Sequence, residues 1–417
     1  MDGTLKFNPF RPNSIVTPGM FQGRINELLK AQDCLFQTKH GNPQHFIIEG
    51  ERGIGKSSLL FAIEAFAKGQ LELRGQKFKF LVVSLELTSA MGHNDILRKL
   101  ASALRAEIAD QSKFKDIAKS TLDFLSRIEA MGVRYHKDST APSTEPFEMV
   151  DEISNAIDQF FKTAKDQIDG ILFLLDEADK PEVAANLGES IKLLTEKLTK
   201  KGCDKVTVGL AGLPSLIDKL KASHESSPRL FTIMSLESLE PEERIAVIKK
   251  GLEEIQTKTG TQVEFTKEAG DFLSELSEGY PHFLQQFAYC ALEEDADNKI
   301  DLNDVKNGAF KEHGALDQLG NKYFYDMYNS INSDDYRVVL QAMAADHSDW
   351  LTRTEITEKS GLKQATVDNA LKSLKQKGTI MANDTRKGEY KLPTRSFAVW
   401  IKATSEKAVQ FKNSRLT

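Results

Sequence analysis

The sequence predicts an α/β domain built on a parallel sheet, followed by a compact helical domain and a small C-terminal winged-helix domain. Three observations carry that expectation. Short apolar runs alternate with amphipathic helical stretches as far as about residue 238, which is the pattern of a parallel sheet covered on both faces. A glycine-rich turn, "GERGIGKSS" from Gly50 to Ser58, separates the first strand from the helix after it. From about Glu240 helix follows helix, and the last segment reads helix, helix, turn, helix and then two strands around a polar turn.

The elements follow in order. Residues 1–20 carry three prolines and little periodicity, and are expected as an extended lead-in. The α/β domain is expected over 21–238. "RINELLKAQDCLFQTK" has helical spacing at Ile25, Leu28, Leu29, Cys34 and Leu35. Phe46-Ile47-Ile48 is a short buried strand, Lys56 to Ala67 a helix, and "KFLVVSLELTS" a second strand. A helix over about Asn94 to Asp110 precedes a variable insertion, 111–147, with a possible helix around "KSTLDFLSRIEAM" and a polar loop. "FEMVDEISNAIDQFFKTAKD" is a helix, "GILFLLDEAD" the most apolar strand, and "DKVTVGLAGLPSL" a further strand after a helix near Asn186 to Lys200. The helical domain spans 239–320, without strands, and the winged helix 321–417.

Composition narrows the class. The 417 residues have a hydrophobic content of 40%, a charged content of 28% and a mean hydropathy of -0.38, as in a soluble globular protein. No apolar run reaches the roughly 20 residues of a membrane helix, and "MDGTLKFNPF" has no basic and apolar signal character. The expected setting is cytoplasmic, with no membrane partner. Cys34, Cys203 and Cys290 are too dispersed for a disulfide framework or a metal site, and are expected as buried small hydrophobes. The net charge of -6 is uneven: Leu351 to Thr417 hold 14 Lys/Arg against 6 Asp/Glu, so the tail is positive and the body acidic.

The glycine-rich turn satisfies G-x-x-x-x-G-K-[ST] through Gly50, Gly55, Lys56 and Ser57. Glycines let backbone N–H groups turn inward around phosphate oxygens, and the next helix adds its positive N-terminal end. Gly53, Ile54 and Ser58 complete the loop. Lys56 meets the β/γ-phosphates and Ser57 ligates Mg²⁺. "ILFLLDE" supplies the acids such a loop needs: Asp176 to hold Mg²⁺ through water, and Glu177 to orient or deprotonate the attacking water. The bland reading of that pair is a helix cap, which five apolar residues running straight into it disfavour. The expected ligand is a nucleoside triphosphate with Mg²⁺.

"NPFRPNSIVTPGMFQGRINEL", "GLPSLIDKL", "SPRLFTIMSLESLEPEE" and "SEGYPHFLQQFA" extend the pattern. Together with the loop and the acidic strand end they resemble the AAA+ ATPases of the origin-recognition type, with their relatives among the STAND and archaeal-type switch ATPases. The likeness covers about residues 7 to 320, and the winged helix carries it over nearly the whole chain. It implies an AAA+-like fold with a helical lid and ATP as the nucleotide. It also puts Phe21, Gly23 and Arg24 near the adenine and has Pro281 pack against the nucleotide. Arg229 stands where that group carries an arginine finger that reaches a neighbouring subunit of a homo-oligomer. The alternative for Arg229 is a surface arginine paired with Glu225 or Glu237.

The sequence departs from the group in two places. The end of the fourth strand has Ala211 and Gly212 where a polar γ-phosphate sensor is common, and His282 stands where the lid arginine is common. A neutral imidazole stabilises phosphoryl charge less than a guanidinium does. Slow hydrolysis is implied, nearer a timed switch than a motor. His282 reads equally as a satisfied lid histidine or as a nucleotide contact.

In a helix-turn-helix the second helix enters the major groove. Lys363, Gln364, Thr366 and Asn369 lie at its leading edge, Lys372, Lys375 and Lys377 face phosphates, and Arg386 and Lys387 form the wing tip. Trp350 and Trp400 are expected to anchor the small core. Duplex DNA is the expected partner, in replication, transposition or repair. The other reading is a signalling or antiviral-defence switch whose lid and winged helix hold an effector protein. No H-E-x-x-H, G-x-S-x-G or Cys/His cluster points to another catalytic class.

Overall fold

Why the strands of the α/β part are almost wholly apolar becomes plain in the computed structural model, which describes residues 6–16, 21–111, 121–123, 125–126, 146–164, 167–345, 350–383, 386–394, 397–402 and 404–405. The chain divides into two units, Ile15–Glu237 and the pair of segments Met1–Ser14 and Ser238–Thr417. The expected insertion falls mostly outside the described residues.

The first unit contains α1 (Ile25–Lys39), β1 (His45–Gly50), α2 (Lys56–Ala67), β2 (Phe80–Glu86), α3 (His93–Asp110), α4 (Pro146–Ala164), β3 (Gly170–Asp176), α5 (Leu187–Lys200), β4 (Val206–Gly212), α6 (Ser215–Ser223) and β5 (Phe231–Leu236). The sheet order is β2-β3-β4-β1-β5, every pair parallel. β5 lies within "SPRLFTIMSLESLEPEE", a stretch to which the sequence reading assigns no strand. Register aligns Leu81, Ile171 and Val206, and then Val83, Phe173 and Val208, so one face offers continuous apolar rows. Leu100 and Leu104 of α3, Ile153 and Ile157 of α4, and Leu194 of α5 belong to the same core. Two helices, α1 and α2, also pack on the sheet. At Gly209 a Cβ would lie 2.3 Å from Phe46 Cζ, so the ring of Phe46 fills the space a side chain would need.

The second unit begins with α7 (Pro241–Thr259), α8 (Lys267–Ser277), α9 (Pro281–Glu294), α10 (Leu302–Phe310) and α11 (Ala315–Leu319). The expectation of no strands here is corrected: β6 (Glu264–Phe265) and β7 (Lys299–Ile300) form a parallel pair, two residues each and too short to leave a periodic signal. The lead-in is not a loose arm. Phe10 is buried against Gly251, where a Cβ would lie 2.5 Å from its ring, and Lys6 bonds Asp295 and the Leu292 carbonyl.

A π-helical turn, Gly320–Phe324, leads into α12 (Tyr325–Asn329), α13 (Asp334–Ala345), β8 (Leu351–Thr352), α14 (Arg353–Ser360), α15 (Gln364–Gln376), β9 (Met381–Ala382) and β10 (Glu389–Lys391). β10 pairs antiparallel with both β8 and β9. Thr352 caps α14 with Glu355 in reciprocal hydrogen bonds, and Gly361 at φ 66° makes the turn before α15. Trp400 is buried beside Phe324 and Phe397, as expected of a core anchor. Trp350 is instead only half-buried, with the Lys391 ammonium 4.8 Å over its ring. All three cysteines are buried and free.

Two outcomes follow from this packing. Gly209→Val overpacks the β1–β4 contact, and should lower stability by about 1–3 kcal/mol or more in urea unfolding. At the start of β1, His45 Nδ1 accepts the Val208 N–H at 3.1 Å, and burial lowers its pKa to about 4. The neutral ring is therefore favoured in the folded state; its contribution is full above the unfolded value near 6.5 and is lost as pH falls towards 4. That loss is on the order of 3 kcal/mol, and His45→Gln should flatten the stability profile over this window.

Candidate functional site

All five strands run the same way, so the residues that leave β1 and β3 emerge at one edge of the sheet although β4 lies between them. At that edge β1 ends in Gly50, where a Cβ would meet Ile54 Cγ2 at 2.9 Å. Gly53 and Gly55 take φ 81° and 99°, values that let the loop curl and the helix start at Lys56. Lys56 Nζ donates to the Gly50 and Glu51 carbonyls at 2.8 and 2.9 Å, inside the curve of its own loop. Burial lowers the Lys56 pKa, and Glu177, Asp176 and Asp179 oppose that lowering.

Ser57 Oγ donates to Asp176 Oδ2 at 2.5 Å, and Asp176 Oδ1 accepts the Glu177 N–H at 2.8 Å. Ser57 and Asp176 are the hard oxygen donors that would hold a Mg²⁺ here, which would neutralise phosphate charge. Among the described residues no cluster of three or more His, Cys, Asp or Glu offers an all-protein metal cage.

Arg24 is 7% exposed at φ 58°, and its guanidinium donates to the Ile54 carbonyl at 3.3 Å and to the Glu237 carbonyl. It thus grips the loop's backbone. Phe21 and Gly23 are half-buried in the same approach, and Ser58 Oγ accepts the Val16 N–H at 3.3 Å. Arg229 is exposed in a short 3-10 turn, Ser227–Leu230, and forms no ion pair among the described residues, so the pairing with Glu225 or Glu237 is not found. Pro281 and His282 belong to the second unit. His282 packs on Tyr323 and Phe283, and burial first, then Lys322, lowers its pKa to about 4, leaving a neutral ring at ordinary pH.

Sequence reasoning missed Asp179. It is 7% exposed, and its Oδ1 accepts the Leu213 N–H at 2.9 Å. The only signal was a third acid in "DEAD", since the partner lies 34 residues on.

Residues 24–201 match the family model of the KAP family P-loop domain. The first unit has the P-loop NTPase fold. The whole chain is similar to an uncharacterized HTH-type transcriptional regulator of Methanocaldococcus jannaschii, 24% identical over 380 residues that make up 90% of this chain and 87% of the relative. Among solved structures, a Walker-type ATPase of Pyrococcus abyssi has a TM-score of 0.58 at 16% identity, covering 94% of this chain and 99% of that one. The ORC2 protein of Aeropyrum pernix in its ADP form has a TM-score of 0.47 at 14% identity over 97% of each chain.

Outside the P-loop domain, the structure brings the C-terminal candidates together only in part. Lys363, Gln364, Asn369 and Lys372 are exposed on α15 and just before it, as are Lys375 and Arg386 with Lys387 at the hairpin tip. Thr366 is half-buried, and Lys377 Nζ bonds the Ser330 carbonyl. Acids sit among the cations: Asp368 pairs with Arg353 at 3.3 Å, and Glu389 lies 3.8 Å from Arg386.

At the P-loop, Lys56→Ala should weaken binding of a fluorescent ATP analogue about 10- to 100-fold, the worth of one or two charge-assisted hydrogen bonds. Asp176→Asn should abolish the dependence of that binding on added Mg²⁺ while leaving weak Mg²⁺-independent binding.

Proposed function

We propose that the chain is a slow regulatory ATPase that couples its nucleotide state to DNA binding by the C-terminal module. The contact between Ser57 Oγ and Asp176 Oδ2 at 2.5 Å, beside Lys56, supports the ATPase part most directly. Bound ATP with Mg²⁺ would supply the transferable phosphoryl group and the cation that neutralises its charge. Lys56 binds the phosphate chain, Ser57 and Asp176 hold the cation, and Glu177 orients the attacking water. Arg24 keeps the loop in shape from behind. Gly23 and Phe21 line the base, and Pro281 and His282 are the nucleotide-side candidates of the helical unit. A neutral His282 and the apolar end of β4 at Ala211 and Gly212 both argue for slow turnover. Arg229, exposed and free of ion pairs among the described residues, serves as a finger towards a second copy in a homo-oligomer.

The DNA reading rests on the exposed Lys363, Gln364, Asn369 and Lys372, the tip at Arg386 and Lys387, and the positive balance of the tail. The Methanocaldococcus relative is named as an HTH-type transcriptional regulator, which agrees with it. One observation favours an effector protein as the partner instead: Asp368 and Glu389 interrupt the cationic surface, and like charge repels phosphate.

The deciding measurement is ATP turnover with and without duplex DNA, beside a binding titration over a salt series. The expected result is DNA-stimulated turnover that is lost in Glu177→Gln and reduced in Arg229→Ala. Affinity should fall steeply with salt, and Lys372→Ala with Lys387→Ala should each lower the logarithmic slope by about one. Salt-insensitive, weak DNA binding with unstimulated turnover would sink the DNA reading and direct the search to a protein partner.

A further inference from the structure

The segment that leaves β3 is held by contacts the sequence motif does not foretell. Glu177 has φ 54°, a left-handed conformation that a non-glycine residue keeps only when its surroundings impose it. Its carboxylate pairs with Lys180 at 3.5 Å, both side chains about one-third exposed, a contact too weak to fix an orientation. Where Glu177 points is therefore decided by its backbone.

Among the described residues, Asp176 Oδ1 accepts the Glu177 N–H at 2.8 Å and the Glu177 carbonyl accepts the Lys180 N–H at 2.9 Å, and further contacts tie the turn after them to β4 and α6. The Ala178 N–H donates to the Ala211 carbonyl at 2.8 Å. The Leu213 N–H donates to Asp179 Oδ1 at 2.9 Å, and Lys219 Nζ donates to the Asp179 carbonyl at 2.6 Å. Of these further contacts, only the one to Asp179 Oδ1 uses a side chain of the turn. Space for it is made by Gly212, where a Cβ would lie 2.8 Å from Asp179 Oδ1 and 3.1 Å from the Asp179 nitrogen. Ala211 and Gly212 leave no polar side chain at the end of β4, and that strand end is what the Asp179 carboxylate holds.

We infer that Asp179 is a positioning residue for Glu177: by accepting the Leu213 N–H it locks the turn after β3 to the end of β4. This rests on the ATPase reading given above. Asp179 itself acts through the backbone and is assigned no contact with nucleotide. A purely stabilising role fits poorly, because a buried carboxylate that forms no ion pair among the described residues costs folding energy that an apolar residue would not. Its charge is also felt at the P-loop, since Asp179 is among the acids that oppose the burial-driven lowering of Lys56.

The test uses the full chain and steady-state ATP turnover, with binding of an ATP analogue as the check on folding. Asp179→Ala should lower kcat about 10- to 100-fold, the scale of an ångström's misplacement of a catalytic group, with KM for ATP changed less than about threefold. Asp179→Asn should recover kcat to within about threefold of wild type, because its amide oxygen accepts the same hydrogen bond. Gly212→Ala keeps every acid and should reproduce the Asp179→Ala loss by displacing the carboxylate. A folded Asp179→Asn protein as impaired as Asp179→Ala would overturn the positioning role, and so would unchanged kcat in Asp179→Ala or Gly212→Ala. Wild-type turnover that is lost in Glu177→Gln but unaffected at Asp179 defeats this inference alone. Absence of turnover in the wild type defeats the ATPase reading and the positioning role with it.

Discussion

The hydrogen bond between Ser57 and Asp176 depends on the register of three strands. Ser57 is fixed by the loop that leaves β1, Asp176 by the end of β3, and β4 sets the distance between them through Ile47–Leu210 and Leu175–Leu210 pairings. A slip of one residue in β4 would move the acid along the edge and turn its neighbours to the wrong face. A match of side-chain size opposes such a slip: Gly209 of β4 pairs with Phe46 of β1, whose ring fills the space a side chain at 209 would need. Chemistry at the edge is thus specified by packing in the middle of the sheet.

Electrostatics at the edge is a balance between burial and acids. Lys56 is partly stripped of water, which disfavours its charge, and three carboxylates nearby favour it. Folding its ammonium onto the Gly50 and Glu51 carbonyls satisfies the charge with neutral dipoles. Phosphate oxygens offer the same ammonium stronger acceptors, so the loop presents a cation that is held in place but not neutralised. His282 shows the opposite treatment, a ring kept neutral by aromatic neighbours and by the charge of Lys322.

Much of this was legible in the sequence. The tight turn after β1, with Gly53 and Gly55 at positive φ, could be read from the spacing of Gly50, Gly55, Lys56 and Ser57, and the apolar run into Asp176 marks a buried strand by composition alone. What was not legible joins residues far apart in the chain. The Asp179–Leu213 bond, the seating of Phe10 on Gly251 and the shape fit of Gly320 under Trp400 are matches of volume and geometry, with no local periodicity to announce them. β6, β7 and β8 escaped for another reason: a two-residue strand has no alternation to detect. Arg24 was picked out by likeness, but its grip on the Ile54 carbonyl could not be read from a string of letters.

The burial of Phe10 reaches beyond energetics. This ring contributes about 2–3 kcal/mol of apolar burial to a unit whose other residues begin at Ser238. The helical unit is accordingly discontinuous in the gene. A recombination event that carried the coding region for Ser238 onwards into another protein would leave behind the piece that fills the notch at Gly251. The C-terminal part is therefore not a free-standing cassette, since moving the unit intact means moving Met1–Ser14 with it.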